Sequence, residues 1–303
     1  MPDRLIRQLR WDELDPGYLD RLIAHARDED LGGLGLAHRP LLACDPSTQL
    51  TSGAKEKASA RLVARADCTV CGLPLLPHIL AAYGDNATVT PHVADGTAVR
   101  AGAVLATLSG TAATLLTAER VLLNFLQKLT GISTLTARYV ARLSGTRSKL
   151  LDTRKTTPGW RMLEKYAVAT GGGYNHRLGL FDRIMLKDNH LAADHATAGE
   201  RLTALIHQAR AARPDLLIEC EIDAPEQISP ALAAGADILL LDNFSPATLR
   251  DALAQIGDRA KTEASGGITL DTLRAFAEIG PDFISTGALT HQSTWTDIAL
   301  DWN

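Results

Sequence analysis

Four strand-type runs recur in the second half of the chain at nearly constant intervals. The residues that close them, Glu221, Asp242, Ser265 and Thr286, stand 21, 23 and 21 positions apart. A buried strand plus the helix that returns to start the next parallel strand occupies about that length, so each step reads as one βα unit. The runs are 217–222, 238–242, 262–265 and 282–286, and two more of the same type precede them at 149–152 and 184–187. A further short strand before Gly171-Gly172-Gly173 would make seven. Equal steps predict an incomplete TIM-like α/β barrel, with an open doubly wound sheet as the structural competitor.

At 303 residues the chain has room for a second domain beside such an array. The first third carries the pattern of an α+β fold. An amphipathic helix is expected around 19–26, loop from 31 to 57, and strands at 60–64, 88–93 and 104–108. Asp95-Gly96 is a hairpin signal, and Ser109-Gly110 reads as a turn. A long helix is expected from Thr117, its N-cap, with Val121, Leu122, Phe125, Leu126, Leu129 and Ile132 as its apolar stripe, linking the two domains.

Composition narrows the function classes. Hydrophobic residues make up 46% and charged residues 22%, as in an ordinary globular chain, which excludes a disordered or fibrous protein. Lys plus Arg number 31 against 35 Asp plus Glu, a net charge of -4, which argues against nucleic-acid binding through bulk positive charge. Any anion site must be built locally. The uncharged run 101–118 holds four Thr, one Ser and two Gly, too polar to cross a membrane. Cys44, Cys68, Cys71 and Cys220 are too scattered for a disulfide framework, and no secretory pattern opens the sequence, so a cytoplasmic location is expected. Cys68 and Cys71 have the spacing of a metal or redox pair but no second pair beside them, which leaves two partly buried thiols as the plainer reading.

In a barrel the chemistry is carried by residues at the C-terminal ends of the strands. Here the runs close with Asp152-Thr153-Arg154-Lys155, Lys187-Asp188-Asn189-His190, Glu219-Cys220-Glu221, Leu241-Asp242-Asn243 and Glu263-Ala264-Ser265-Gly266-Gly267. One such charge is ordinarily a solvated rim. Several in register are a site: Arg154, Lys155, Arg177 and Lys187 bring four cations to one mouth, and Glu221 and Asp242 bring two carboxylates. The planar guanidinium suits an anionic substrate. Strand ends about 4.8 Å apart let Glu221 and Asp242 share Mg²⁺, which takes one or two carboxylates plus substrate oxygens. Ser265-Gly266-Gly267 and Thr286-Gly287-Ala288 are small-residue turns where barrels commonly hold a phosphate. Gly171-Gly172-Gly173-Tyr174-Asn175 delivers His176 and Arg177 together. No G-x-S-x-G is present, and no acyl-enzyme is expected.

These strings, together with Glu119-Arg120-Val121-Leu122-Leu123-Asn124-Phe125-Leu126-Gln127, Thr156-Thr157-Pro158-Gly159 and Ile268-Thr269, resemble the quinolinate phosphoribosyltransferase family from about Arg61 onward. The departure is N-terminal. The family usually has a short Gly-Asp-x-Thr turn after Glu-Asp, whereas here Glu29-Asp30-Leu31-Gly32-Gly33 runs into a longer segment reaching Lys57. Trp160 and Tyr174 stand where smaller apolar residues are common, and both should be tolerated.

The resemblance implies an N-terminal α+β sandwich domain at 1–130, rejoined by the tail 291–303, and an incomplete α/β barrel at 131–290. It implies a homodimer in which Arg120 enters the neighbouring subunit's site, in an enzyme of NAD biosynthesis. Quinolinate and 5-phosphoribosyl-1-diphosphate would give nicotinate mononucleotide, diphosphate and CO₂ with Mg²⁺. Arg120, Arg154, His176, Arg177 and Lys187 would clamp the ring carboxylates, and Lys155 would bridge the two substrates. Ser265, Gly266, Gly267, Thr286, Gly287 and Ala288 would hold the 5'-phosphate, with Asp188, Asn189 and His190 in support. Lys155, Glu221 and Asp242 would be catalytic. A related phosphoribosyltransferase for another aromatic acid and a catalytically silent ligand-binding paralogue are the alternatives.

Overall fold

The computed structural model describes residues 5–84, 87–187 and 199–302. Two compact units share the chain. One comprises Leu9–Leu135, Pro158–Gly172 and the chain from Ser293 on; the other comprises the residues up to Gln8, Thr136–Thr157 and Gly173–Gln292. The sequence expectation divides the chain at 130/131; the segment Pro158–Gly172 is compact with the first unit. No helix among the described residues is long and apolar enough to cross a membrane.

The first unit opens with α1 (Pro16–Gly32), whose N-terminal N-H groups on Gly17 and Tyr18 are capped by the Asp15 carboxylate. Its buried residues, Leu19 and Ile23, form the inner face. Strand β1 (Lys57–Ala64) follows, then β2 (Cys68–Thr69), helix α2 (Leu76–Tyr83), β3 (Thr88–Pro91), β4 (Ala98–Val99) and β5 (Val104–Thr111). β1 pairs antiparallel with β5 and β5 with β3, and the last strand of the chain, Ile298–Trp302, closes the other edge against β1. β2 and β4 form a separate pair.

Three local expectations change here. Ser109-Gly110 is not a turn, because β5 runs through it to Thr111 and pairs Gly110 with Ala58. Helix α3 (Ala112–Arg142) accordingly starts five residues before Thr117. Its first N-H groups are satisfied elsewhere: Ala112 and Ala113 donate to the carbonyls of Glu56 and Ala54, and Thr114 donates to Thr111 Oγ1. The Val121, Leu122, Phe125, Leu126, Leu129 and Ile132 stripe is buried. Asp95-Gly96 does turn the chain, but not between directly paired strands. The half-buried Asp95 carboxylate accepts the N-H groups of Gly72 and Leu73 at 2.8 and 3.0 Å and the Tyr166 hydroxyl at 2.8 Å. Trp160 stacks on Phe125 with ring centres 4.5 Å apart, which explains how the larger side chain is accommodated.

Gly131 of α3 marks where the tail crosses. Gln127 Nε2 donates to the Ile298 carbonyl and the Gln127 carbonyl accepts from Thr296 N, while a Cβ on residue 131 would lie 2.2 Å from the Thr294 carbonyl oxygen. Gly131→Ala is expected to cost about 1–3 kcal/mol by forcing the tail off the helix. Thermal unfolding checks this, and an unchanged midpoint would contradict it.

The second unit settles the choice between barrel and open sheet. β6 (Lys149–Leu151), β7 (Ile184–Leu186), β8 (Ile218–Ile222), β9 (Ile238–Asp242), β10 (Lys261–Ser265) and β11 (Phe283–Ser285) form a parallel sheet in the order β6-β11-β10-β9-β8-β7. Consecutive strands are neighbours from β7 to β11, and β11 then pairs with β6, the first. A doubly wound sheet reverses its order at a switch point; a barrel closes last strand on first. The expected seventh strand before Gly171 is absent, because 161–170 is helical, α4 (Arg161–Thr170). Its place is taken after the glycines, where Tyr174 bridges Leu151 in parallel and Asn175 bridges Arg7. Helices α5 (Glu200–Ala212), α6 (Ile228–Ala233), α7 (Pro246–Ile256) and α8 (Leu273–Ile279) supply the alternation read from the spacing.

Candidate active site

Side chains alternate along a strand, so residues two apart share the inner face of the barrel. A cavity of about 400 Å³ opens there, lined by Met185 and Lys187, Glu221, Leu240 and Asp242, Glu263 and Ser265, and Ser285. Its remaining wall comes from Thr153, Arg154 and Lys155 after β6 and from His176 and Arg177 after the Tyr174 bridge. Arg154, Lys155, His176, Arg177, Lys187, Glu221, Asp242 and Ser265 are thus brought together.

Asp152 builds this wall from beneath. It is fully buried, and its two oxygens accept the His176 N-H at 2.8 Å and Asn175 Nδ2 at 2.9 Å. That clamp sets the turn from which His176 and Arg177 project. Arg154 Nε is buried with no hydrogen-bond partner among the described residues, a donor left for a ligand. Burial, and then the neighbouring Arg154, push the Arg177 guanidinium below its ordinary range, so cationic repulsion is already present. An anion relieves both conditions.

On the acidic side, Lys187 Nζ lies 3.3 Å from Glu221 Oε2, and Asp242 Oδ2 accepts from Asn243 Nδ2 at 2.7 Å. Two carboxylates at adjacent strand ends form an all-oxygen donor set that fits Mg²⁺ with substrate oxygens completing its shell. Gly266 is required by its neighbour: its φ is +93°, and a Cβ there would lie 2.2 Å from Asn243 Oδ1.

The second small-residue turn is built differently. Thr286 N donates to the Leu151 carbonyl and Ala288 N to Thr286 Oγ1, and the space left by Gly287 is filled by the Lys155 stem and the His291 ring. Gly266, Gly267, Thr286, Gly287 and Ala288 do not line the cavity. Arg120 is exposed on α3 in the other unit. Asp188, Asn189 and His190 lie outside the described residues.

A deeper set is missed by strand-end reasoning. Glu219, two residues before Glu221 and on the same face, places Oε2 at 3.0 Å from His176 Nε2 and at 2.9 Å from Arg183 Nη1. Glu263 Oε2 lies 3.6 Å from the same His176 nitrogen, and neither Glu263 oxygen has a hydrogen-bond partner among the described residues. His176, Glu219 and Glu263 are close enough to meet one ion, but Glu219 is already paired with the Arg183 guanidinium. Burial by itself lowers the His176 pKa, but Glu219 and Glu263 more than reverse this and raise it. Burial and Glu219 push the Glu263 carboxyl up. The signal available in the sequence is Glu219-x-Glu221: an inward residue one layer below a strand end is buried, and a buried acid requires a partner.

An incomplete barrel with four cations and two carboxylates at its mouth defines a barrel enzyme acting on polyanionic substrates. Comparison with known proteins gives the family. The profile of the quinolinate phosphoribosyl transferase C-terminal domain matches residues 132–301, and that of the N-terminal domain matches 45–130. The chain belongs to the quinolinate phosphoribosyltransferase family. A Bacillus subtilis protein named as a probable nicotinate-nucleotide pyrophosphorylase (carboxylating) is 41% identical over 283 residues, covering 93% of each chain. A Mycobacterium leprae nicotinate-nucleotide pyrophosphorylase (carboxylating) is 40% identical over 262 residues, 85% of this chain and 90% of that one. The solved nicotinate-nucleotide pyrophosphorylase of Francisella tularensis superposes with a TM-score of 0.87 at 32% identity, covering 97% of this chain and 99% of that one.

Proposed function

We propose that this chain catalyses the decarboxylating transfer of a phosphoribosyl group to quinolinate, forming nicotinate mononucleotide, diphosphate and CO₂ from quinolinate and 5-phosphoribosyl-1-diphosphate. The carrying observation is the convergence of Arg154, Lys155, His176, Arg177 and Lys187 on one cavity that also holds Glu221 and Asp242. Quinolinate has two carboxylates beside a ring nitrogen, and such a cationic wall can grip both.

Arg154, His176, Arg177 and Lys187 bind the two carboxylates and hold the ring nitrogen against the anomeric carbon of the ribose, which replaces a bimolecular encounter by a fixed approach. Lys155, its stem packed against Gly287, reaches between the ring and the diphosphate. The C-N bond forms as the C-O bond to diphosphate breaks, and the electron pair leaves with diphosphate. Glu221 and Asp242 would hold Mg²⁺, which when bound would supply charge neutralisation for that leaving group. The same two carboxylates face the cationic character that develops on the ribose. Nitrogen alkylation makes the ring a pyridinium, which accepts the electron pair released when the adjacent carboxylate departs as CO₂; a proton then takes its place on carbon. Ser265, Gly266 and Gly267 form the 5'-phosphate seat. The Thr286, Gly287 and Ala288 turn supports it from behind, since two of its N-H groups are already engaged.

In this reading the active unit is a homodimer, with the exposed Arg120 completing the partner's site. The same reading places the enzyme in the cytoplasm, where thiols stay reduced. Replacing quinolinate by nicotinate tests the substrate class: turnover with nicotinate and none with quinolinate would transfer the assignment to a non-decarboxylating relative.

A further inference from the structure

The cations that meet the substrate stand at the cavity wall, but the arrangement that fixes one of them lies beneath it. His176, Arg183, Glu219 and Glu263 are each at least nine-tenths buried. Arg183 is held at both ends of its fork, Nη1 donating to Glu219 Oε2 at 2.9 Å and Nη2 to the Leu5 carbonyl. Glu219 therefore cannot swing away. Its carboxylate spans His176 Nε2 with Oε1 at 3.2 Å and Oε2 at 3.0 Å. The backbone on the other side of the ring is pinned by Asp152, so the imidazole is fixed at both ends.

We propose that Glu219 and Arg183 are positioning residues for the ring-carboxylate subsite: locked to each other below the cavity, they hold the His176 imidazole in one orientation toward it. The proposal rests on the assignment of quinolinate as substrate for its catalytic consequence, but not for its structural one. A neutral imidazole in the same place would offer a hydrogen bond without charge, and a mobile one would not offer it reproducibly.

Three charged groups face the ring from the elements packed against it. Glu219 faces it from β8, Glu263 from β10 and Arg183 from the segment entering β7. Burial, and to a smaller extent Arg183, lower the His176 pKa, and the two acids more than offset them. A raised histidine is charged at low pH and loses its proton as pH rises through the raised value, so its contribution to anion binding is lost on the alkaline side. Removing Glu219 moves that loss to lower pH.

Glu219→Gln alone leaves Arg183 buried without its anion, which can unfold the chain. The double variant Glu219→Gln with Arg183→Met removes both charges and keeps the test open. The imidazole resonance of His176, assigned by its disappearance in His176→Gln, is followed by NMR against pH in wild type and double variant. The expected result is a midpoint above the ordinary histidine value of 6.5 in wild type that moves to lower pH in the double variant. The KM for quinolinate at slightly alkaline pH should rise about tenfold, with the KM for 5-phosphoribosyl-1-diphosphate within about twofold. Arg183→Lys should recover most of the quinolinate affinity. An unmoved His176 titration in a folded double variant overturns the proposal whether or not the enzyme turns over quinolinate. A shifted titration without any wild-type turnover upholds the structural claim and overturns the substrate assignment.

Discussion

Arg154→Ala is expected to lower quinolinate affinity at least about 30-fold while leaving the fold intact. Arg154 sits in the cavity wall with a buried Nε that no protein group accepts from among the described residues. Truncating one partner of a buried, hydrogen-bonded charge pair costs about 2–5 kcal/mol, and each 1.4 kcal/mol is tenfold in affinity. The fold should survive because the backbone here is held by other groups: Asp152 clamps the adjacent turn, and Thr290 Oγ1 donates to the Lys155 carbonyl at 2.6 Å. Removing Arg154 also relieves its repulsion of Arg177. Calorimetric titration with quinolinate reads the effect, and unchanged affinity in a folded variant would remove Arg154 from the clamp.

The second large effect is expected from Glu221→Ala combined with Asp242→Ala. Preorganised groups aimed at charge that develops in the transition state are each worth about 10²–10³ in kcat, so the pair should lose at least about 10³. The response of rate to Mg²⁺ concentration should vanish with it. Quinolinate affinity should not fall in the same measure, because Lys187 loses the anion that holds it at 3.3 Å and becomes more available to a substrate carboxylate. A double variant with wild-type rate and metal response would show that the metal site lies elsewhere.

The barrel was legible in the sequence because it repeats. Each βα unit must bury one strand and return, so the period survives differences in side chains, and all six strand runs are strands in the structure. The seventh was misplaced because 161–170 can form a buried helix, while the chain that completes the ring at Tyr174 is a single bridge too short to leave a periodic signal. Ser109-Gly110 misled for a related reason. Gly110 in β5 is set by close approach, since a Cβ there would lie 3.1 Å from the Ala87 Cβ, and not by a turn. Thr117 looked like a helix cap, but the first turn of α3 finds its acceptors in residues 54, 56 and 111, more than fifty positions away for the first two.

The site divides along a similar line. Strand ends announce themselves, and Arg154, Lys155, Arg177, Lys187, Glu221 and Asp242 reach one cavity. The layer below does not. Glu219 and Arg183 acquire meaning only when β7 and β8 are side by side and the Tyr174 turn hangs His176 above them. Sequence spacing gives the rim of a barrel site; what orients the rim comes from pairing between strands.

The central claim is tested most directly by incubating the purified protein with Mg²⁺, 5-phosphoribosyl-1-diphosphate and quinolinate labelled in the carboxylate next to the ring nitrogen, omitting each component in turn. Labelled CO₂ and nicotinate mononucleotide should appear in equal amounts, and only in the complete mixture. A folded protein that releases no label, or that forms a nucleotide retaining both carboxylates, would contradict the account.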